Sequence, residues 1–87
     1  MESYKIEWKR SATKELKQLP NDLIEKVLKV VKALSSNPFP TQTKKLVGSE
    51  HSFRIRVGDY RIIYNLYSKI LIIEIIRIGH RRDIYNR

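Results

Sequence analysis

Residues 53–64 read Phe53-Arg54-Ile55-Arg56-Val57-Gly58-Asp59-Tyr60-Arg61-Ile62-Ile63-Tyr64, or FRIRVGDYRIIY. Apolar residues recur at every second position on both sides of Gly58-Asp59, which is the pattern of two strands joined by a two-residue hairpin loop. That loop length sets the register: Val57 pairs with Tyr60, Arg56 with Arg61, Ile55 with Ile62, and Arg54 with Ile63. Side chains alternate across a strand, so Phe53, Ile55, Val57, Tyr60, Ile62 and Tyr64 share a core face. Arg54, Arg56 and Arg61 share the other. Like charges set directly opposite each other destabilise a sheet. Arg56 facing Arg61 therefore reads as a local cost that a bound anion would reverse. Phosphate fits best, because guanidinium forks grip its oxygens in pairs.

The flanking sequence supplies the rest of a single domain, residues 1–87. Residues 3–9, SYKIEWK, alternate with Tyr4, Ile6 and Trp8 on one side, as expected for a strand with one buried face. Ser11 is the expected N-cap of a short helix carrying Ala12, Leu16 and Leu19, broken at Pro20-Asn21. A second helix spans about 22–34, with Leu23, Ile24, Val27, Leu28, Val30, Val31 and Leu34 as its apolar stripe. A polar connection with two prolines covers 36–50. The last strand, expected over 69–78 and stopped by Gly79, is apolar on both faces, the mark of a central strand. The order is strand, two helices, three strands. It predicts an α+β fold, with the helices on one face of a mainly antiparallel sheet that ends in a three-stranded meander.

Composition narrows the partners. With 18 Lys+Arg against 9 Asp+Glu the net charge is +9, which favours polyanions or an acidic protein. There is no cysteine, and only His51 and His80 represent histidine, so neither a disulfide framework nor a metal site is expected. The N-terminus MESYKIEWKR lacks a signal-peptide pattern, and the longest apolar run, 70–73, is too short to span a membrane. The expected location is the cytoplasm. The tail HRRDIYNR adds His80, Arg81, Arg82 and Tyr85. Arg81 and Tyr85 lie four residues apart, side by side if that segment makes a helical turn. With the hairpin arginines they suggest a cation-rich pocket holding one phenol.

The chain resembles the RelE/ParE superfamily of toxins from toxin–antitoxin pairs. The resemblance covers essentially the whole length and rests on Lys45-Leu46 and Gly48, on RIRVGDYRIIY, and on IIRIGHRRDIY. It implies the RelE-like β-α-α-β-β-β order and, for the RelE-like branch, cleavage of messenger RNA in the ribosomal A site without cofactor or metal. It also implies the roles. Arg61 and Arg81 would clamp the transition state, Tyr85 would act as general base, and Arg54, Arg56, Lys44, Lys45 and Arg82 would hold RNA phosphates. Clustered arginines would favour the phenolate of Tyr85. His80 is the rival base, and Glu50 and Glu74 are weaker ones; Glu74 is expected instead to pair with a lysine or arginine. RelE itself has lysines where this chain has Arg54 and Arg56. Arginine is not deprotonated in proteins, so these two can hold phosphate but cannot act as bases. The implied partners are messenger RNA on the ribosome and a cognate acidic antitoxin that folds over the cations. Two other readings share the charge: a ParE-like inhibitor of DNA gyrase with no nuclease activity, and a plain nucleic-acid-binding module, which lacks a recognition-helix signature.

Overall fold

The structure, a computed structural model, describes residues 3–82. Five strands and two helices follow in the order β1 (Lys5–Trp8), α1 (Arg10–Lys17), α2 (Asn21–Leu34), β2 (Lys44–Lys45), β3 (Ser52–Val57), β4 (Tyr60–Tyr67) and β5 (Ile72–His80). They form one mixed sheet in the order β1-β5-β4-β3-β2. The meander β3-β4-β5 is antiparallel as expected, but it accounts for only three of the five strands. β1 returns to pair in parallel with β5, Ile6 beside Ile73 and Trp8 beside Ile75. The two-residue β2, which lies within the expected polar connection, pairs antiparallel with β3. The apolar β5 thus lies between β1 and β4, and its composition follows from pairing on both edges.

The hairpin register is the one the loop length dictates, from Val57↔Tyr60 to Ser52↔Asn65. Gly58 takes φ +61°, the left-handed conformation that a Gly-first two-residue loop requires. The core-facing sheet residues Ile55, Val57, Ile62, Tyr64, Leu66, Ile73, Ile75 and Ile78 pack with Ala12, Val27, Val31 and Leu34 of the helices. Both helices therefore cover one face. Leu28, expected in the α2 stripe, is instead 45% exposed.

The boundaries depart from the sequence reading at three places. Ser11 lies inside α1, and the N-cap is Lys9, with no side-chain capping bond. Asn21 begins α2 rather than ending α1. β5 starts at Ile72 and runs through Gly79 to His80, while 68–71 form the turn that precedes it. Gly79 does not stop the strand, because ladder pairing with Arg61 holds it in place.

Two side chains close gaps that the short strands leave. β1 covers β5 only as far as Ile75. Beyond it α1 takes over that edge: Glu15 Oε1 accepts the Ile78 amide at 2.9 Å, and its Oε2 lies 3.5 Å from Arg77 Nη2. On the other side, the buried Tyr64 hydroxyl donates to the Pro38 carbonyl at 2.7 Å and anchors the connection between α2 and β3. Burial pushes the Tyr64 phenol above 10.0, partly offset by its hydrogen bond with Thr43.

Glu15→Ala leaves the Ile78 amide without its carboxylate acceptor, and chemical denaturation should report a loss of about 1.5–3 kcal/mol. Tyr64→Phe should cost about 1 kcal/mol at neutral pH. The folded phenol titrates above the unfolded one, so its contribution is complete below about pH 10 and is lost as pH climbs through the raised value. Wild-type stability should therefore fall more steeply than that of Tyr64→Phe in alkaline denaturation series.

Candidate functional site

The face of the sheet opposite the helices carries the cations, in rows set by the ladder. Arg56 stands opposite Arg61, and Arg61 opposite Gly79. The next row runs Lys44, Arg54, Ile63, Arg77 across four strands. Ile63 in the middle of that row is buried, yet it lies outside the helix-side core cluster. Gly79 pairs with Arg61 at the end of this row and contributes no side chain to it. Arg56 is exposed, while Arg54 and Arg61 are half-buried.

The start of the tail is tied to this row. The Arg81 amide donates to the Asp59 carbonyl at 2.9 Å, joining the end of β5 to the hairpin loop. This bond extends the β4–β5 ladder by one step. Arg81 itself lies in the turn that follows β5 and is exposed. Two predicted site residues fall elsewhere. Lys45 pairs with Phe53, so it belongs to the helix side of the edge strand β2. His80 pairs with Tyr60, also on the helix side, and meets its ring edge-to-face at 5.4 Å. His80 Nδ1 accepts the Arg82 amide at 3.2 Å, and Arg82 is exposed. Tyr85 lies outside the described residues.

The sequence reading did not single out Arg77, whose position depends on an irregularity in the ladder. Ile63 pairs with Arg77 but Tyr64 pairs with Ile75, so one residue of β5 is skipped. That bulge moves Arg77 onto the arginine face. Strict alternation in IIEIIRIGH would have assigned it with the wrong parity. Glu74 likewise has neighbours other than a lysine or arginine: Asn65 Nδ2 and the Tyr67 hydroxyl each lie 3.5 Å from its Oε1. Among the described residues no group of three or more His, Cys, Asp or Glu side chains is arranged to hold a metal ion. No helix among them is long and apolar enough to cross a membrane. Chemically, the face gathers several guanidinium groups, the side-chain type that grips anion oxygens in pairs.

Comparison with known proteins identifies the family. Residues 6–85 match the family described as ParE toxin of type II toxin-antitoxin system, parDE. The chain belongs to this family, within the RelE/ParE superfamily of toxins. It is 31% identical over 85 residues to the putative toxin RelE1 of Methanocaldococcus jannaschii, covering 94% of each chain. Among solved structures it is similar to the toxin of the archaeal RelE–RelB complex from Pyrococcus horikoshii. There the TM-score is 0.83 at 28% identity, over 93% of this chain and 98% of that one. The RelBE2 toxin–antitoxin complex from Mycobacterium tuberculosis gives a TM-score of 0.80 at 26% identity, over 91% and 99%.

If Arg56 facing Arg61 is a cost in the free protein, Arg56→Thr should raise stability by about 0.2–1 kcal/mol at low ionic strength. The gain should shrink in high salt as the repulsion is screened. Thermal denaturation at two salt concentrations measures it, and a destabilised variant would show that these charges do not repel.

Proposed function

We propose that the chain is a toxin that cuts messenger RNA at the ribosomal A site, using the RNA's own 2′-hydroxyl and no metal. The observation that carries this reading is Arg56 set opposite Arg61, which pairs in turn with Gly79, with Arg81 bound through its amide to the same hairpin loop. Such a cluster suits a phosphate that gains charge as it reacts. The RelE names of its relatives support the same reading.

In this reaction the 2′-oxygen bonds to phosphorus as the bond to the 5′-oxygen breaks. The products are a 2′,3′-cyclic phosphate and a free 5′-hydroxyl. Tyr85 takes the 2′ proton, and the protonated phenol or water returns one to the departing 5′-oxygen. Arg61 and Arg81 hold the phosphoryl oxygens as charge builds. Arg54, Arg56 and Lys44 contact neighbouring phosphates from the same face. Arg82 and Lys45 can do so only from the rim. His80, on the helix side of β5, is the rival base. DNA lacks the 2′-hydroxyl and should not be cut.

The partner in this reading is an acidic antitoxin of the RelB kind, which folds on binding and covers the cations. Its interest for the mechanism is that it and RNA compete for one charged surface. A second reading, inhibition of DNA gyrase without cleavage, is favoured by the ParE description of the matching family.

Primer extension on a defined messenger in a purified translation system, with and without ribosomes, tests the two readings together with a gyrase supercoiling assay. Ribosome-dependent cuts are expected within codons, with Arg61→Ala slower by about 100- to 1000-fold and Tyr85→Phe similarly impaired. Cuts that persist unchanged in both variants would overturn the assignment of residues. Inhibited supercoiling with an intact messenger would replace the first reading by the second.

A further inference from the structure

We infer that the cleft between the β2–β3 loop and the β4–β5 turn is a base-binding subsite for the same single-stranded RNA whose phosphate the arginine face holds. This inference rests on the ribonuclease reading above. The cleft has a volume of about 510 Å³ and is lined by Glu50, His51, Tyr67, Ser68, Lys69 and Ile70. Its size is within the range of small-molecule sites.

Four observations point to a nucleobase. Tyr67 lies on the same face of β4 as Arg61, six residues further on, so the two are about 20 Å apart along the strand. That distance is a few nucleotides of extended chain, and the intervening row carries Arg54 and Arg77 on either side of Ile63. The Tyr67 ring is held in place: its hydroxyl accepts from Asn65 Nδ2 at 3.2 Å and lies 3.5 Å from Glu74 Oε1. Asn65 Oδ1 in turn accepts from the Ser52 hydroxyl at 2.6 Å. The His51 ring sits 5.1 Å from that of Tyr67, tilted by 39°. Both rings line the cleft, and aromatic side chains are the groups on which unstacked bases pack.

The turn that closes the cleft has an unusual conformation. Leu71 takes φ +57°, which is rare for a branched apolar residue, and Ile70 stands 64% exposed at the rim. Sparsely populated backbone conformations persist where the surrounding structure over-determines them and cluster at ligand sites. The rim charges are mixed. Lys69 can meet a phosphate, whereas Glu50 repels one and accepts hydrogen bonds from an exocyclic amine. That combination suits a base flanked by its phosphate better than a phosphate alone.

The test uses the intact chain and oligoribonucleotides of increasing length, blocked by 2′-O-methylation at the cleaved nucleotide. Binding is read by fluorescence anisotropy. A parallel series on programmed ribosomes carries 5-iodouridine at successive positions on both sides of the block. Affinity should rise in a step once the RNA is long enough to reach the cleft. Tyr67→Ala and His51→Ala should each remove that step, weakening long RNA about tenfold. Tyr67→Phe, which keeps the ring, should retain it. Light should cross-link one iodouridine position, a few nucleotides from the block, to His51 or Tyr67. His51 is exposed, so its variant tests the cleft even if Tyr67→Ala folds poorly. Wild-type RNA binding that His51→Ala and Tyr67→Ala leave unchanged, with cross-links confined to other residues, overturns the subsite and leaves the ribonuclease reading standing. A wild-type chain that neither binds nor cross-links RNA, free or on the ribosome, overturns both.

Discussion

The two-residue loop at Gly58-Asp59 is the constraint on which the rest of the molecule depends. A hairpin loop of that length admits one register, and a slip of one residue would turn every side chain to the other face. With the register fixed, Phe53, Ile55, Val57, Ile62 and Tyr64 supply the sheet side of the core, Tyr60 on the same face meets His80 outside the core cluster, and Arg54, Arg56 and Arg61 must gather on the opposite side. Helices α1 and α2 bury the first set. The second is left for whatever the protein binds. A core and a cationic face are thus two consequences of the same turn, and one cannot be moved without the other.

The remaining elements manage edges. β1 is too short to protect all of β5, and Glu15 takes its place by accepting the Ile78 amide. β2 is only two residues long, and both are lysines, which discourages further strand addition on that side. Tyr64 holds the chain between α2 and β3 against the sheet through the Pro38 carbonyl. The strongly charged face therefore rests on a sheet whose β5 edge is completed by Glu15 and whose connection before β2 is anchored by Tyr64. That rigidity matters for a site made of arginines. Their long side chains lose less freedom on binding when the strands beneath them do not move.

The mixed character of the open face bears on recognition. One end is cationic, and the other carries Asn65, Tyr67, Glu74 and Ser52 in a hydrogen-bonded group. Phosphate contacts position a nucleic acid without reading it, whereas amides, carboxylates and aromatic rings read bases. A single strand lying along β4 would meet the two kinds of surface in turn. An acidic protein segment would be attracted to the first and gain little from the second.

Residues 53–64 alone determined the hairpin, its register and the meeting of Arg54, Arg56 and Arg61, because a two-residue loop is a local rule that needs no distant contact. The two helices and their buried stripe were equally legible from apolar spacing, apart from Leu28 and the cap at Lys9. Tertiary structure decided what depends on pairing between distant segments. The parallel return of β1 to β5 is a non-local choice that alternation in SYKIEWK does not encode. The Ile63/Tyr64 irregularity moved Arg77 onto the arginine face, and periodicity cannot count a skipped residue. Gly79 looked like a terminator but lies within β5, because a neighbouring strand holds it. Tyr67 and His51, sixteen positions apart, meet only because β3 and β4 lie side by side.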